Sequence, residues 1–284
     1  MSVNQILCPV DFSDSSLNAA RWALYLAQKA SCPILFLHSY GAFAQDNETA
    51  ISLYPEFRRI SEDSMHRFLE RLNPIVGMRV QSNCTPLDLT QDIRQRCEEI
   101  PNSMVVMSTH GAHGWSRFFL GSNAVSVLHA VEVPVLVLPH DFTLEFAANP
   151  ISEWLLAISP AETRYFEALQ WIKQFIDSMG GRLTPGFVDI GTEGSGDAEF
   201  FLQWCSDHLP NCLPQLVVAE KPSFGIEELV KRSDANAVVL ISREEGWLRD
   251  SLRRHTSDEL VFMGKYPVMV VPERSSIFVE ANPV

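Results

Sequence analysis

The residues of this chain best suited to chemistry lie in a glycine-containing loop that follows a buried strand. The apolar run Met104–Met107 leads into Ser108–Gly111, and nine further residues separate Gly111 from Gly121 and Ser122, where a helical pattern begins. Glycines let the backbone come close to a ligand, and the first N–H groups of a helix lack an internal partner and attract anions. The spacing therefore predicts a phosphate-binding loop. Its predicted members are Gly111, Gly121, Ser122 and the backbone N–H groups of Asn123 and Ala124.

The same residues also have plainer explanations. Gly111 and Gly121 are typical of turns, and Ser122 is typical of a helix N-cap, although a capping hydroxyl would point into the same space as a bound phosphate. His110 and His113 are close enough in sequence to suggest a metal pair. No carboxylate or cysteine follows them at the spacing of a zinc site, so no metal is predicted.

Composition and charge narrow the class of protein. The chain has 284 residues, enough for two ordinary domains, and no apolar run reaches the length of a membrane span. Its formal net charge of −13 argues against general binding to nucleic acid or to a membrane. The six cysteines form no C-x-x-C pair, and the N-terminus lacks the features of a signal peptide. We therefore expect reduced, buried thiols in a cytoplasmic protein.

The chain repeats itself. The run Pro134–Pro139 returns as Pro267–Pro272, and Ser103–Ser108 returns as Ala237–Ser242. In each half, strand and helix patterns alternate, which is typical of right-handed β-α-β units and a parallel sheet. The predicted strands lie near 4–10, 33–40, 78–84, 103–108 and 134–138, and near 154–159, 183–190, 215–219, 237–242 and 268–272. The predicted helices lie near 14–30, 49–76, 90–99 and 122–130, and near 162–179, 197–208, 224–232 and 252–263.

The predicted fold class is α/β, with two tandem, doubly wound, Rossmann-like domains that each contain a five-stranded parallel sheet. The first domain spans 1–142 and the second 150–274, with a break near Ala147–Pro150 and a C-terminal tail at 275–284. In such sheets the ligand lies at the carboxyl ends of the strands, where the strand order reverses. If the first and fourth strands of a domain flank that point, the loops that follow them should build its site together.

Three stretches of the chain resemble the universal stress protein family. They are Pro9–Ser13 at the end of the first strand, Met107–Ser122, and the closing strand Val133–Pro139. The resemblance covers the first half and, more weakly, the second, so the chain is similar to tandem members with two family domains. ATP-binding members of the family carry Gly-x2-Gly-x9-Gly-Ser/Thr. Here Ser108 replaces the first glycine, and its side chain lies where the backbone should run close to the ligand. The other positions of the motif and the nine-residue spacing are kept.

The resemblance implies that the first half binds an adenine nucleotide, ATP or another adenylate. It leaves open whether Mg²⁺ is bound together with the nucleotide. It implies that Asp11 recognises adenine; the alternative is that Asp11 belongs to the cap of the following helix. Ser39 ends the second strand, where the family often has an apolar residue against the base, and an ordinary loop serine is equally consistent. The resemblance also adds Pro9, Val10, Met107 and Ser108 to the predicted nucleotide-binding residues.

In the second half the corresponding residues are replaced. Ser159-Pro160-Ala161 stands in the aspartate region, Ser242–Glu245 stands in place of the small-residue loop, and Arg254-His255-Thr256 falls where Gly-Ser belonged. The two glutamates at 244 and 245 would repel phosphate. We therefore expect nucleotide binding in the first domain only, with the second domain as a structural or regulatory partner.

Three classes of function are open at this point. The leading one is a cytoplasmic stress-response or regulatory protein that binds an adenine nucleotide. The second is a hydrolase or nucleotidyl transferase on the same scaffold, but no nucleophile–base pair can be identified, so at most weak ATP hydrolysis is expected. The third is a nucleotide-free interaction protein, which Ser108 keeps open.

The closing strands predict how the two halves associate. Strands 134–138 and 268–272 would each be an exposed apolar edge, and exposed edges invite pairing. In the family this strand commonly mediates dimer formation between single-domain chains. We therefore expect the two strands to pair antiparallel within one chain, as an intrachain pseudo-dimer. Further association into a homodimer of tandem chains is left open.

Overall fold

The chain folds into two compact units. A computed structural model describes residues 3–41, 53–73, 77–109, 121–140, 142, 151–191, 196–243 and 261–274. Of these, residues up to 142 belong to the first unit and residues from 151 to the second.

The first unit is a parallel α/β sheet with strand order β3-β2-β1-β4-β5. Its strands are β1 (Gln5–Pro9), β2 (Ile34–Ser39), β3 (Val80–Thr85), β4 (Ser103–Ser108) and β5 (Val135–Leu138). Its helices are α1 (Asp14–Ala30), α2 (Tyr54–Leu72), α3 (Leu89–Glu99) and α4 (Ser122–Ala130). The order reverses between β1 and β4, so the ends of these two strands lie side by side.

The second unit has the same arrangement, with strand order β10-β9-β6-β7-β8. Its strands are β6 (Glu153–Ala157), β7 (Arg182–Asp189), β8 (Gln215–Val218), β9 (Ala237–Ser242) and β10 (Val268–Pro272). Its helices are α5 (Phe166–Ser178), α6 (Asp197–His208) and α7 (Pro222–Ser233), with 3₁₀ helices at Pro160–Glu162 and Val261–Gly264. Here the order reverses between β6 and β9.

The predicted α/β fold class and all ten predicted strands are confirmed. The central strands are continuous apolar runs because both faces of a parallel sheet are covered by helices; every residue of β1, β5 and β9 is buried. The helix expected from residue 162 begins only at Phe166, because Pro160–Glu162 forms a 3₁₀ helix with its own capping box. Most of the helix expected near 252–263 lies outside the described residues.

The helices of the first unit cover opposite faces of its sheet. α1 packs on β1 and β4 and lies beside α2, whereas α3 packs beside α4. Right-handed crossovers explain this arrangement: the chain moves from β1 to β2 in one direction along the sheet and from β4 to β5 in the other, which places α1 and α4 on opposite faces. Both helices nevertheless begin at the carboxyl edge of the sheet.

All six cysteines are free thiols, and four of them are buried, while Cys84 and Cys212 are half-buried. Burial raises the pKa of Cys84 to about 11 and that of Cys97 to about 12. Within the part of the chain that the structure describes, no helix is both long and apolar enough to span a membrane.

Candidate functional site

The ends of β1 and β4 meet at the carboxyl edge of the first unit, and the start of α4 returns to the same point. β1 pairs with β4 in parallel register, with Leu7 opposite Val105. Directly after β4, the Thr109 N–H donates to the Leu138 carbonyl over 2.8 Å, and the Thr109 carbonyl accepts from the Gly121 N–H over 2.7 Å. This second bond brings the N-terminus of α4 against the end of β4, as the predicted phosphate loop requires. Gly111, His110 and His113 lie outside the described residues.

The first turn of α4 has backbone N–H groups without partners inside the helix. Gly121 is the N-cap, and its carbonyl accepts the first intrahelical bond, from Val125 N–H over 3.1 Å. Helix geometry leaves the N–H groups of Ser122, Asn123 and Ala124 without intrahelical partners, and the Ser122 and Asn123 side chains are exposed. The helix dipole adds about half a positive charge at this end. The turn is therefore electrostatically suited to an anion.

Two details differ from the sequence-based alternatives. Ser122 is the first helical residue and not the N-cap, so the explanation of Ser122 as a cap is wrong. Gly121 has φ −64° and ψ 153°, which any residue can adopt. If a glycine is needed at position 121, the reason is close approach of a ligand and not a left-handed backbone.

Asp11 organises the turn between β1 and α1. Its Oδ1 accepts from the Ser13 N–H over 3.1 Å and from the Ser13 Oγ over 2.6 Å. Ser13 is the N-cap of α1, and its Oγ accepts from the Ser16 N–H over 3.1 Å. Asp11 is thus not the cap residue itself but holds the cap residue in place, and it is half-buried at the strand end.

Phe12 adopts a left-handed backbone, with φ 66°, directly beside Asp11. Such a conformation is strained for a residue with a large side chain and clusters at functional sites. The Phe12 ring packs against His38 and Phe68, at centroid distances of 4.2 and 5.9 Å. These contacts hold the strained turn in place. The sequence carries no signal for this backbone conformation, so sequence reasoning missed Phe12.

His38 ties β2 to the same turn. Its Nδ1 lies 2.9 Å from the Val10 carbonyl. Burial, partly opposed by the Val10 carbonyl and by Asp11, lowers the pKa of His38. The ring is therefore neutral near pH 7, and because a carbonyl only accepts, Nδ1 carries the proton. The imidazole fixes the backbone immediately before Asp11.

The other described residues of the predicted site lie at or near strand ends. Pro9, Val10 and Met107 are buried, at the ends of β1 and β4. Ser39 donates its Oγ to the Leu87 carbonyl over 2.6 Å, so its hydroxyl holds the loop after β3. This bond is what an ordinary loop serine would make.

Ser108, the residue in the first glycine position, bonds to a residue that sequence reasoning missed. Its Oγ is hydrogen-bonded to the Oγ of Ser15, the second residue of α1. Ser15 is buried, and 93 residues separate the two serines along the chain. A serine two residues after an N-cap carries no signal of such a long-range contact.

At the corresponding edge of the second unit, an ion pair between a buried carboxylate and a half-buried arginine lies between the ends of β6 and β9. Arg243 follows β9 directly, and its Nε lies 3.1 Å from Glu162 Oε1. The Ser159 N–H donates to Glu162 Oε2 over 2.5 Å. Burial raises the pKa of Glu162, and Arg243 acts in the opposite direction. Residues Glu244, Glu245 and 254–256 lie outside the described part of the chain.

Among the described residues, no group of three or more histidine, cysteine, aspartate or glutamate side chains could hold a metal ion.

Comparison with known proteins places a recognised domain in the first half. Residues 2–139 match the sequence profile of the universal stress protein family, so this segment is a domain of that family. No curated protein sequence matches the chain.

Solved structures match the chain along nearly its whole length. A universal stress protein from Archaeoglobus fulgidus DSM 4304 is 19% identical with a TM-score of 0.67, and the match covers 96% of this chain and 97% of that one. A functionally unknown protein from Pseudomonas aeruginosa PAO1 is 13% identical with a TM-score of 0.61, covering 98% and 95%. At these identities the matches show the fold of both halves and nothing further.

Two partial matches have a ligand in their descriptions, cAMP in one and dAMP in the other. The universal stress protein from Archaeoglobus fulgidus in complex with dAMP is 19% identical, and the match covers 48% of this chain and 98% of that one. Its TM-score of 0.32 is too low to locate a ligand on this chain.

Proposed function

We propose that the first unit binds one adenine nucleotide, ATP or another adenylate, at the edge between β1 and β4, and that the second unit binds none. The chain would then be a tandem universal stress protein that acts as a nucleotide-dependent regulatory or stress-response protein in the cytoplasm. The observation that carries this proposal is the bond from Gly121 N–H to the Thr109 carbonyl, which sets the start of α4 against the end of β4, the strand that pairs with β1.

The candidate site has groups suited to phosphate at the start of α4 and a carboxylate suited to the base at Asp11, and an adenine nucleotide requires both. The N–H groups of Ser122 and Asn123 and the positive end of the α4 dipole suit phosphate. Asp11, a carboxylate on the turn held by Phe12 and His38, is suited to accept hydrogen bonds from the amino group of an adenine ring. The family domain at residues 2–139 supports this combination.

A contact in the second unit supports the proposal that each chain binds a single nucleotide, in its first unit. At its corresponding edge, Glu162 and Arg243 pair with each other between the strand ends. A nucleotide there would have to displace a buried carboxylate that also accepts from the Ser159 backbone. We therefore assign the second unit a structural or regulatory role.

The alternatives are a weak ATP hydrolase and a nucleotide-free interaction protein. The Ser13 Oγ has an acidic partner, Asp11, but it is engaged in capping α1. It is thus poorly placed as an activated nucleophile. A phosphate-release assay with ATP and Mg²⁺ tests the first alternative, and the nucleotide content of the purified protein tests the second.

Calorimetric titration with ATP, ADP and AMP, with and without Mg²⁺, tests the proposal. We expect a stoichiometry near one per chain and loss of binding in Gly121→Asp, because a carboxylate would then face the phosphates. Gly196→Asp is a matched control: Gly196 is likewise the N-cap of a helix, α6, in the second unit, and an added Cβ there meets nothing within 4 Å. Two equal sites, or no binding of any adenylate, would refute the proposal.

A further inference from the structure

The hydroxyl pair Ser15–Ser108 lies at the boundary of the candidate site. Ser108 is the last residue of β4 and half-buried, whereas Ser15, in the first turn of α1, is only 5% exposed. Their Oγ atoms are hydrogen-bonded, and either can donate. Since α1 packs on β1 and β4, the bond spans from the strand end to the helix that covers it.

The strand backbone sets the direction of the Ser108 Cβ, and the bond to Ser15 selects the rotamer of its hydroxyl. α1 and α4 cover opposite faces of the sheet, so a hydroxyl that bonds to Ser15 points toward the α1 face. The exposed first turn of α4 lies on the other side, linked to the strand end through Thr109 and Gly121. The Ser108 hydroxyl is thereby held away from the N–H groups of that turn.

We propose, on the premise of the nucleotide site proposed above, that Ser15 is a positioning residue that makes a serine acceptable at position 108. In the family motif this position is a glycine, where the backbone must remain accessible. Here the buried Ser15 hydroxyl keeps the Ser108 side chain in one rotamer, so that the backbone at the end of β4 stays accessible to a ligand. Without Ser15, the Ser108 hydroxyl turns toward the ligand space and competes with it.

A double-mutant cycle in the full chain tests this role, with the dissociation constant for ATP from calorimetry as the readout. We expect Ser15→Ala to weaken binding about three- to tenfold, the range of one hydrogen bond. Ser108→Gly should retain or increase affinity. Adding Ser15→Ala to Ser108→Gly should then change nothing further, because no hydroxyl is left to be held.

Ser103→Ala is the matched control. Ser103 is a buried serine at the other end of β4, where its Oγ donates to the Ile100 carbonyl over 2.6 Å. Its loss should leave ATP affinity unchanged while it lowers the stability to denaturant. A merely structural role of Ser15 would give the same pattern as Ser103→Ala.

The outcomes separate this inference from the proposed function. If the unaltered chain binds no adenylate, the nucleotide site is refuted, and the positioning role with it. If the unaltered chain binds ATP but Ser15→Ala leaves affinity unchanged, the positioning role alone is refuted. It is also refuted if Ser15→Ala weakens binding equally with Ser108 and with glycine at that position.

Discussion

Removal of Arg243 should destabilise the second unit at neutral pH. The Glu162 side chain is 8% exposed and that of Arg243 21%, and their charged atoms lie 3.1 Å apart. Arg243→Met leaves the Glu162 carboxylate buried, with the Ser159 N–H as a hydrogen-bond donor and the charge of Arg164 still acting on it. Loss of one partner of a buried pair costs about 3 to 5 kcal/mol. Because Arg243 is partly exposed, we expect about 3 kcal/mol, the lower end of that range.

The loss should shrink as the pH is lowered. Burial raises the pKa of Glu162, so the folded unit binds this proton more tightly than the unfolded chain does. The free energy of unfolding then falls as the pH rises from the ordinary glutamate pKa, about 4.3, to the higher pKa of Glu162 in the folded unit. Arg243 opposes the rise, so Arg243→Met moves the folded pKa further up. The variant should therefore recover part of its stability, relative to the unaltered chain, between neutral pH and about pH 5.

Hydrogen exchange followed by mass spectrometry measures this change within one molecule. Peptides that cover β6 and β9 should exchange faster in Arg243→Met at pH 7.5, after correction for the intrinsic pH dependence of exchange. Peptides that cover β1 and β4 serve as the internal reference. The double variant Glu162→Gln/Arg243→Met removes both charges and should restore most of the protection. A loss below about 1 kcal/mol, or one that does not diminish at acid pH, would refute the reasoning.

Three further predictions concern the loop, the strained turn and the assembly. Gly111→Val should abolish ATP binding in a chain that keeps the far-UV circular dichroism of the unaltered protein; unchanged affinity would make the loop a simple turn. Phe12→Gly should be more stable than Phe12→Ala by about 1 kcal/mol in urea unfolding, since both lose the ring but only glycine relieves the left-handed strain, and the reverse order would contradict the strain. If strands 134–138 and 268–272 pair antiparallel within the chain, spin labels at the exposed His140 and Lys265 should be close in dipolar distance measurements. Widely separated labels, or short distances only between different chains, would contradict that pairing.

The amino-acid sequence by itself determined the strands and most of the helices, and it predicted where the candidate site lies. Apolar runs such as Met104–Met107 and Val135–Leu138 make buried parallel strands wherever helices cover both faces, so a local pattern is enough to identify them. The alternation of elements predicts a parallel sheet, but it leaves the strand order open, because a β/α barrel alternates in the same way. That β1 and β4 flank the point of reversal was a condition of the sequence argument, and the pairing of these two strands meets it.

The tertiary structure decided how that place is built. Ser15 and Ser108 meet across 93 residues, and Glu162 meets Arg243 only because β6 lies beside β9. The left-handed Phe12 is held by His38 and Phe68, which arrive from β2 and α2. Contacts of this kind depend on side-chain rotamers and burial after the elements have packed. No spacing in the sequence encodes them, because each partner is an ordinary residue in its own segment.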